Sequence, residues 1–253
     1  MALQRLRVTF SQTGDLRFLS HLDVVRLWHR ALRRGRVPVA YTQGFNPQPR
    51  LAFAAALPVG HAGHRELVDV WLEAPWDPEA FLKTVGECFP RGLSLVACAP
   101  VPLSAPSLQS LVRAAQVRVT VPWEEAREEA ERRVAGFLAR ESVPWRRVRR
   151  RKEEALDLRP LVLGAQVEDA SEGTCRLWLR LRAGAQGSVR PEDVLAALGM
   201  PEADLIERLC LELAEGALSP KGPRPLTKGP WPSIMACQTG QGPRRLEGGA
   251  LEP

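Results

Sequence analysis

The order in which apolar periodicity switches between two and 3.6 residues is repeated along this chain, and it limits the available folds more than any single motif does. Leu6, Val8 and Phe10 alternate with Arg5, Arg7 and Thr9 as in a half-buried strand. Ser20, with Asp23 three residues on, resembles a capping box with a shortened acid. A helix is therefore expected from Ser20 to a stop at Gly35, with Leu22, Val25, Trp28 and Leu32 as its core stripe. Leu51–Leu57 and Leu67–Leu72 read as strands joined by the loop 58–64. Asp77–Cys88 reads as a helix with Pro78 in its first turn, and Leu93–Ala99 as a further strand.

Strand, helix, strand, strand, helix, strand is the βαββαβ order of a ferredoxin-like domain. Val117–Val121, Trp123–Arg140, Val143–Arg150 with Leu161–Val167, Thr174–Leu181, Pro191–Leu198 and Leu205–Leu213 repeat that order in pattern, without sequence identity between the halves. Pro100–Pro106, with three prolines in seven residues, separates them. The expected fold is α+β: two tandem ferredoxin-like domains, 1–103 and 104–215, facing each other. A tail, 216–253, is too rich in Pro and Gly to bury a core and is expected to be disordered. A length of 253 residues suits two domains at roughly 100–200 residues each.

At 45% hydrophobic and 25% charged, the composition excludes wholesale disorder. Arg5 and Arg7 interrupt what would be the apolar core of a signal peptide. No apolar run approaches the ~18–20 residues that span a bilayer, so a cytoplasmic protein without a membrane partner is expected. The five cysteines show neither CxxC nor CxxxCxxC spacing, so no zinc knuckle or radical SAM iron–sulfur cluster is expected. Without a Walker loop, GxGxxG, HExxH or nucleophile elbow, no cofactor or metal is expected and catalysis is the minority reading.

A net charge of +6 and a pI near 9.5 favour acidic partners such as nucleic acid. Because only Lys83, Lys152, Lys221 and Lys228 among 35 Lys+Arg are lysines, an arginine-rich coding bias is the rival explanation, and placement matters more than number. Arg26, His29, Arg30 and Arg33 share one face of the first helix, with Arg34 and Arg36 continuing past its end; this face either holds phosphates or is a solvated polar surface. In the loop Gly44-Phe45-Asn46-Pro47-Gln48-Pro49-Arg50, two prolines and a glycine hold Phe45, Asn46, Gln48 and Arg50 on a rigid turn. Such a turn either grips single-stranded RNA or a planar ligand, or plugs the core with Phe45. The run Arg146–Lys152, with Arg147, Arg149 and Arg151 on one face of a strand, is either a polyanion contact or a solvated edge. His21, in the first helical turn, would be a neutral base or a capping residue. His61 and His64 lack a carboxylate or thiol at metal-binding spacing.

Thr13–Asp23 (TGDLRFLSHLD), Pro38–Phe53 (PVAYTQGFNPQPRLAF), Leu57–Gly60 (LPVG) and Asp157–Pro160 (DLRP) resemble the radical-SAM-associated domain of unknown function, which occurs alone or fused behind radical SAM, cobalamin-binding proteins. The resemblance covers about residues 6–198 and implies a radical SAM protein as partner, with Asp157 and Arg159 as its second-half signature. The family usually has histidine at the position of Gln48 and often lysine at that of Arg50, so no imidazole base is expected from this loop. The function expected from residues and resemblance together is a non-catalytic RNA-binding or substrate-presenting accessory module, with Arg159 joining the cations above. One alternative is a metal-independent endoribonuclease using His21, similar in fold to CRISPR repeat-processing enzymes. The other is a protein–protein interaction subunit that binds no RNA.

Overall fold

Residue alternation places the first strand as expected: β1 (Gln4–Gln12) buries Leu6, Val8 and Phe10 on one face. The computed structural model describes residues 2–149, 152–185 and 187–217, with the backbone alone at Val148, Arg149 and Lys152. A 3-10 turn (Gly14–Phe18) leads into α1 (His21–Arg34), where the Ser20 hydroxyl accepts from the Asp23 N–H and donates to its carboxylate. The phase of α1 differs from expectation: Val24, Trp28, Ala31 and Leu32 are buried, while Leu22 is exposed. Trp28 sets that phase, because its ring meets Phe10, Phe53 and Phe89 edge-on across the sheet.

β2 (Leu51–Phe53) is shorter than its apolar run suggests, and β3 (Ala62–Leu72) begins inside the stretch read as a loop. α2 (Pro78–Gly86), capped by Asp77, and β4 (Leu93–Val101) complete the first half. Every pairing here is antiparallel, in the order β4-β1-β3-β2. The second half runs α3 (Leu108–Leu111), β5 (Val112–Pro122), α4 (Arg127–Leu138), β6 (Pro144–Arg149), β7 (Lys152–Asp157), β8 (Val162–Ser171), β9 (Thr174–Arg182), α5 (Pro191–Ala197) and β10 (Leu205–Leu213). Its main strands pair antiparallel in the order β10-β5-β9-β8, whereas β6 and β7 form a hairpin apart from the main sheet.

The halves do not face each other across a cleft. They join edge to edge in one mixed eight-stranded sheet, where β10 runs parallel to β3 at Glu207↔Ala62 and Arg208↔Gly63. The fold is therefore α+β, with one large mixed sheet and few helices. Leu67, on the face of β3 opposite Val68, belongs to the core formed by β5, β9, α4 and α5, whereas Val68 packs with α1 and α2. The two helix pairs thus cover opposite faces of the sheet. Among the described residues no helix is long and apolar enough to cross a membrane.

The charged side chains buried in this sheet are matched. Arg5 and Arg7, 2% and 1% exposed, share the carboxylate of Asp69, and Arg5 also donates to the Ala105 and Pro106 carbonyls of the segment between the halves. β1 is accordingly buried on both faces rather than one. At the seam Arg208 of β10 holds Glu66 of β3 and the Ala55 and Ala56 carbonyls. His61 meets Glu192 at 3.0 Å and His64 meets Glu207 at 2.7 Å.

The hydrogen bond from His64, reinforced by Arg118, holds the Glu207 carboxyl below its ordinary value of 4.5. A depressed carboxylate pKa stabilises the folded chain fully above the unfolded value, and that contribution disappears as pH falls through the folded value. Glu207→Gln should therefore be less stable than the parent at neutral pH, with the gap closing on acidification below 4.5. Urea midpoints across that range measure it, and a gap independent of pH would contradict the assignment.

Candidate nucleic-acid interface

The exposed face of α1 carries Arg26, His29, Arg30 and Arg33, together with Leu22, as helical spacing dictates. These groups are not equivalent. Arg26 is bridged to Asp23 at 2.8 Å, an exposed pair of small energetic weight. His29 is half-buried, and burial together with the Arg33 charge pushes its pKa below the usual imidazole range, so it adds little positive charge at neutral pH. Arg30, Arg33 and Arg34 are exposed and form no ion pair among the described residues. Arg36, also exposed and without an ion pair there, follows in a left-handed conformation (φ 50°) that residues with long side chains adopt rarely.

From Arg36 the chain needs only five residues, at most about 18 Å, to reach Tyr41 at the neck of the 41–50 loop. The Ala40 N–H donates to the Trp71 carbonyl, the Arg50 N–H to Ala40 and the Thr42 N–H to Gln48, while Tyr41 and Pro49 form an isolated bridge. Phe45, at the tip, is fully exposed, so it does not plug the core. Asn46 and Gln48 are exposed and bonded to each other, with Gln48 Nε2 donating to Asn46 Oδ1 at 3.0 Å. The Arg50 guanidinium lies 4.6 Å from the centre of the Trp71 ring, which also takes Arg5 at 4.8 Å. No motif in the sequence marks Trp71. The antiparallel register of β2 on β3, with Leu51 opposite Val70, brings Arg50 beside it.

Arg147 and Arg159 of the second half are engaged elsewhere. Arg147 bonds Glu154 at 2.9 Å and Asp193 of α5 at 3.2 Å, and these carboxylates, Glu154 foremost, raise its pKa. Arg159 donates to the Leu138 and Val162 carbonyls, while the Asp157 carboxylate accepts the Val143 and Arg159 backbone N–H groups; the two side chains stabilise the backbone separately. The Arg149 side chain and Arg151 lie outside what the structure describes, as does the chain beyond residue 217. Arg50 occupies the sheet face of Arg5 and Asp69, opposite the face that α1 covers. The C-terminal half of α1 and the neck of the loop that follows it remain linked through only the five residues from Arg36 to Tyr41.

His21 opens α1 with its ring edge-on to Phe53 at 5.2 Å. His61 and His64 are each engaged by a glutamate, and among the described residues no group of three His, Cys, Asp or Glu side chains is placed to hold a metal ion. Burial pushes the Cys98 and Cys175 thiols up to about 12 and about 11, so neither is a ready nucleophile near neutral pH.

Among solved structures, the chain is similar to one described as a Cbf5-Nop10-Gar1 complex, with 9% identity and a TM-score of 0.47, over 80% of this chain and 47% of that one. It is also similar to the archaeal box H/ACA sRNP Nop10-Cbf5 complex, with 8% identity and a TM-score of 0.42, over 80% and 46%. The chain spans about half the length of those it matches, and at these scores the likeness establishes neither fold nor function. No curated protein matches it in sequence. The pattern of one family, described as an uncharacterized protein conserved in bacteria (DUF2344), matches residues 5–191, and the chain belongs to that family.

Proposed function

We propose that this protein is a non-catalytic RNA-binding module that presents RNA, or a substrate carried on RNA, to a radical SAM partner, and that its halves, 1–103 and 104–215, are two ferredoxin-like units. The observation that carries the RNA reading is a contrast in how arginines are matched. Arg118, Arg133, Arg147, Arg176, Arg180 and Arg208 are each held by carboxylates, whereas Arg30, Arg33, Arg34 and Arg36 stand exposed at one end of α1 without an ion pair among the described residues. Cations left in water beside one another repel, and a chain of phosphates relieves that repulsion by releasing its counterions.

The test is retention of a labelled RNA at low salt. Replacing Arg30, Arg33 and Arg34 together by glutamate should abolish binding. Neutral replacements should reduce the slope of log K against log salt by ~0.7 for each phosphate no longer neutralised. Incubated RNA should remain intact; cleavage that His21→Ala removes would establish the ribonuclease instead. If the parent protein retains no RNA even at low salt, the interaction-subunit reading replaces this one. Binding of a purified radical SAM protein then becomes the measurement that matters.

A further inference from the structure

We infer that the 43–50 loop reads an unpaired base, so the RNA held by α1 is single-stranded where it crosses this loop. This rests on the RNA reading above. The first observation is Phe45 itself, a large apolar ring entirely in water at the tip of a loop whose neck is fixed. The Gln48 N–H donates to Thr42 Oγ1, the Trp71 N–H donates to the Arg50 carbonyl, and the Arg50 guanidinium is seated on the Trp71 ring. A fixed loop loses little conformational freedom when a ligand binds, so an exposed ring on it is already poised to stack.

The second observation is the amide pair beside that ring. With Gln48 Nε2 donating to Asn46 Oδ1, the Asn46 amino group remains as a donor and the Gln48 carbonyl as an acceptor, both exposed. A donor and an acceptor next to an aromatic face suit the hydrogen-bonding edge of a base stacked on Phe45. Bases in an RNA duplex hide both face and edge within the stack, and only unpaired ones offer them. The third observation concerns Gly44, whose φ is 133° and whose added Cβ would meet nothing within 4 Å. Glycine is thus required there by the backbone path that projects Phe45, not by lack of space.

The test compares an oligoadenylate, an oligouridylate and an RNA duplex of the same length by fluorescence anisotropy, using the full chain. The parent should prefer the single strands. Phe45→Ala, a change in a wholly solvated side chain, should weaken single-strand binding roughly 5- to 100-fold, the effect of removing one base–aromatic stack, and leave duplex binding unchanged. Asn46→Ala with Gln48→Ala should reduce any difference between the two homopolymers. Equal affinity for duplex and single strands with a silent Phe45→Ala, while the triple arginine reversal still abolishes binding, overturns the inference and leaves the RNA reading standing. Failure of the parent to bind any of the three RNAs overturns both.

Discussion

Asp69→Asn is expected to destabilise the protein by about 3–5 kcal/mol, the loss that follows when one partner of a buried ion pair is removed. In a chain of this size that lowers the melting temperature by roughly 6–20 °C, at ~2–4 °C per kcal/mol. The substitution changes volume little, so the effect isolates charge. Asp69 is wholly buried and is the carboxylate that Arg5 and Arg7 share, through hydrogen bonds of 2.5–3.0 Å. An amide there leaves two guanidiniums in a region of low dielectric without that counter-charge. Replacing all three residues with apolar ones of similar size should recover part of the loss, because it removes the stranded charge while leaving the Ala105 and Pro106 carbonyls without the Arg5 donor. Urea unfolding followed by tryptophan fluorescence measures both variants, and a loss below about 1 kcal/mol for Asp69→Asn would contradict the assignment.

Arg208→Met should cost a similar amount, about 3–5 kcal/mol, but the damage should be local to the seam. The guanidinium donates there from Nε to Glu66 Oε1 at 2.8 Å, from Nη2 to Glu66 Oε2 at 2.5 Å, and from Nη1 and Nη2 to the Ala56 and Ala55 carbonyls at 3.2 Å each. Glu66 is 3% exposed, so methionine would leave a buried anion and two orphaned acceptors where β3 and β10 share only two register pairs. Hydrogen exchange should speed up at 62–63 and 207–208, while the long β1–β4 ladder keeps its protection. Adding Glu66→Gln should relieve part of the loss. Strict additivity of the two substitutions would show that the pair does not act as a unit.

Much of the element order is legible in the sequence because it depends on local chemistry. Ser20 and Asp77 cap the helices expected after them, and the prolines of 100–106 mark the passage between halves. The misreadings come from partners that local periodicity does not show. Residues 62–64 look like loop until β1 and β10 supply neighbours for Ala62 and Gly63. The run 146–152 looks like one cationic strand, yet it turns back so that Glu154 pairs with Arg147, and α5 brings Asp193 to the same guanidinium. Helical spacing alone predicts the exposed arginines of α1. It misplaces Leu22, because the buried side of that helix is chosen by the aromatic cluster around Trp28.

Joining β3 to β10 links residues about 145 positions apart, which bears on how the nascent chain survives its own synthesis. While the ribosome is still making the second half, the rim of β3 that β10 will occupy has no neighbour, and an open rim invites strands from other molecules. Its composition discourages such visitors: Gly63, His64, Arg65 and Glu66 offer a short, charged stretch rather than an apolar one. The charges that lock the finished seam would thus serve earlier as a guard against aggregation, and a more hydrophobic seam would sacrifice yield before it altered the mature protein.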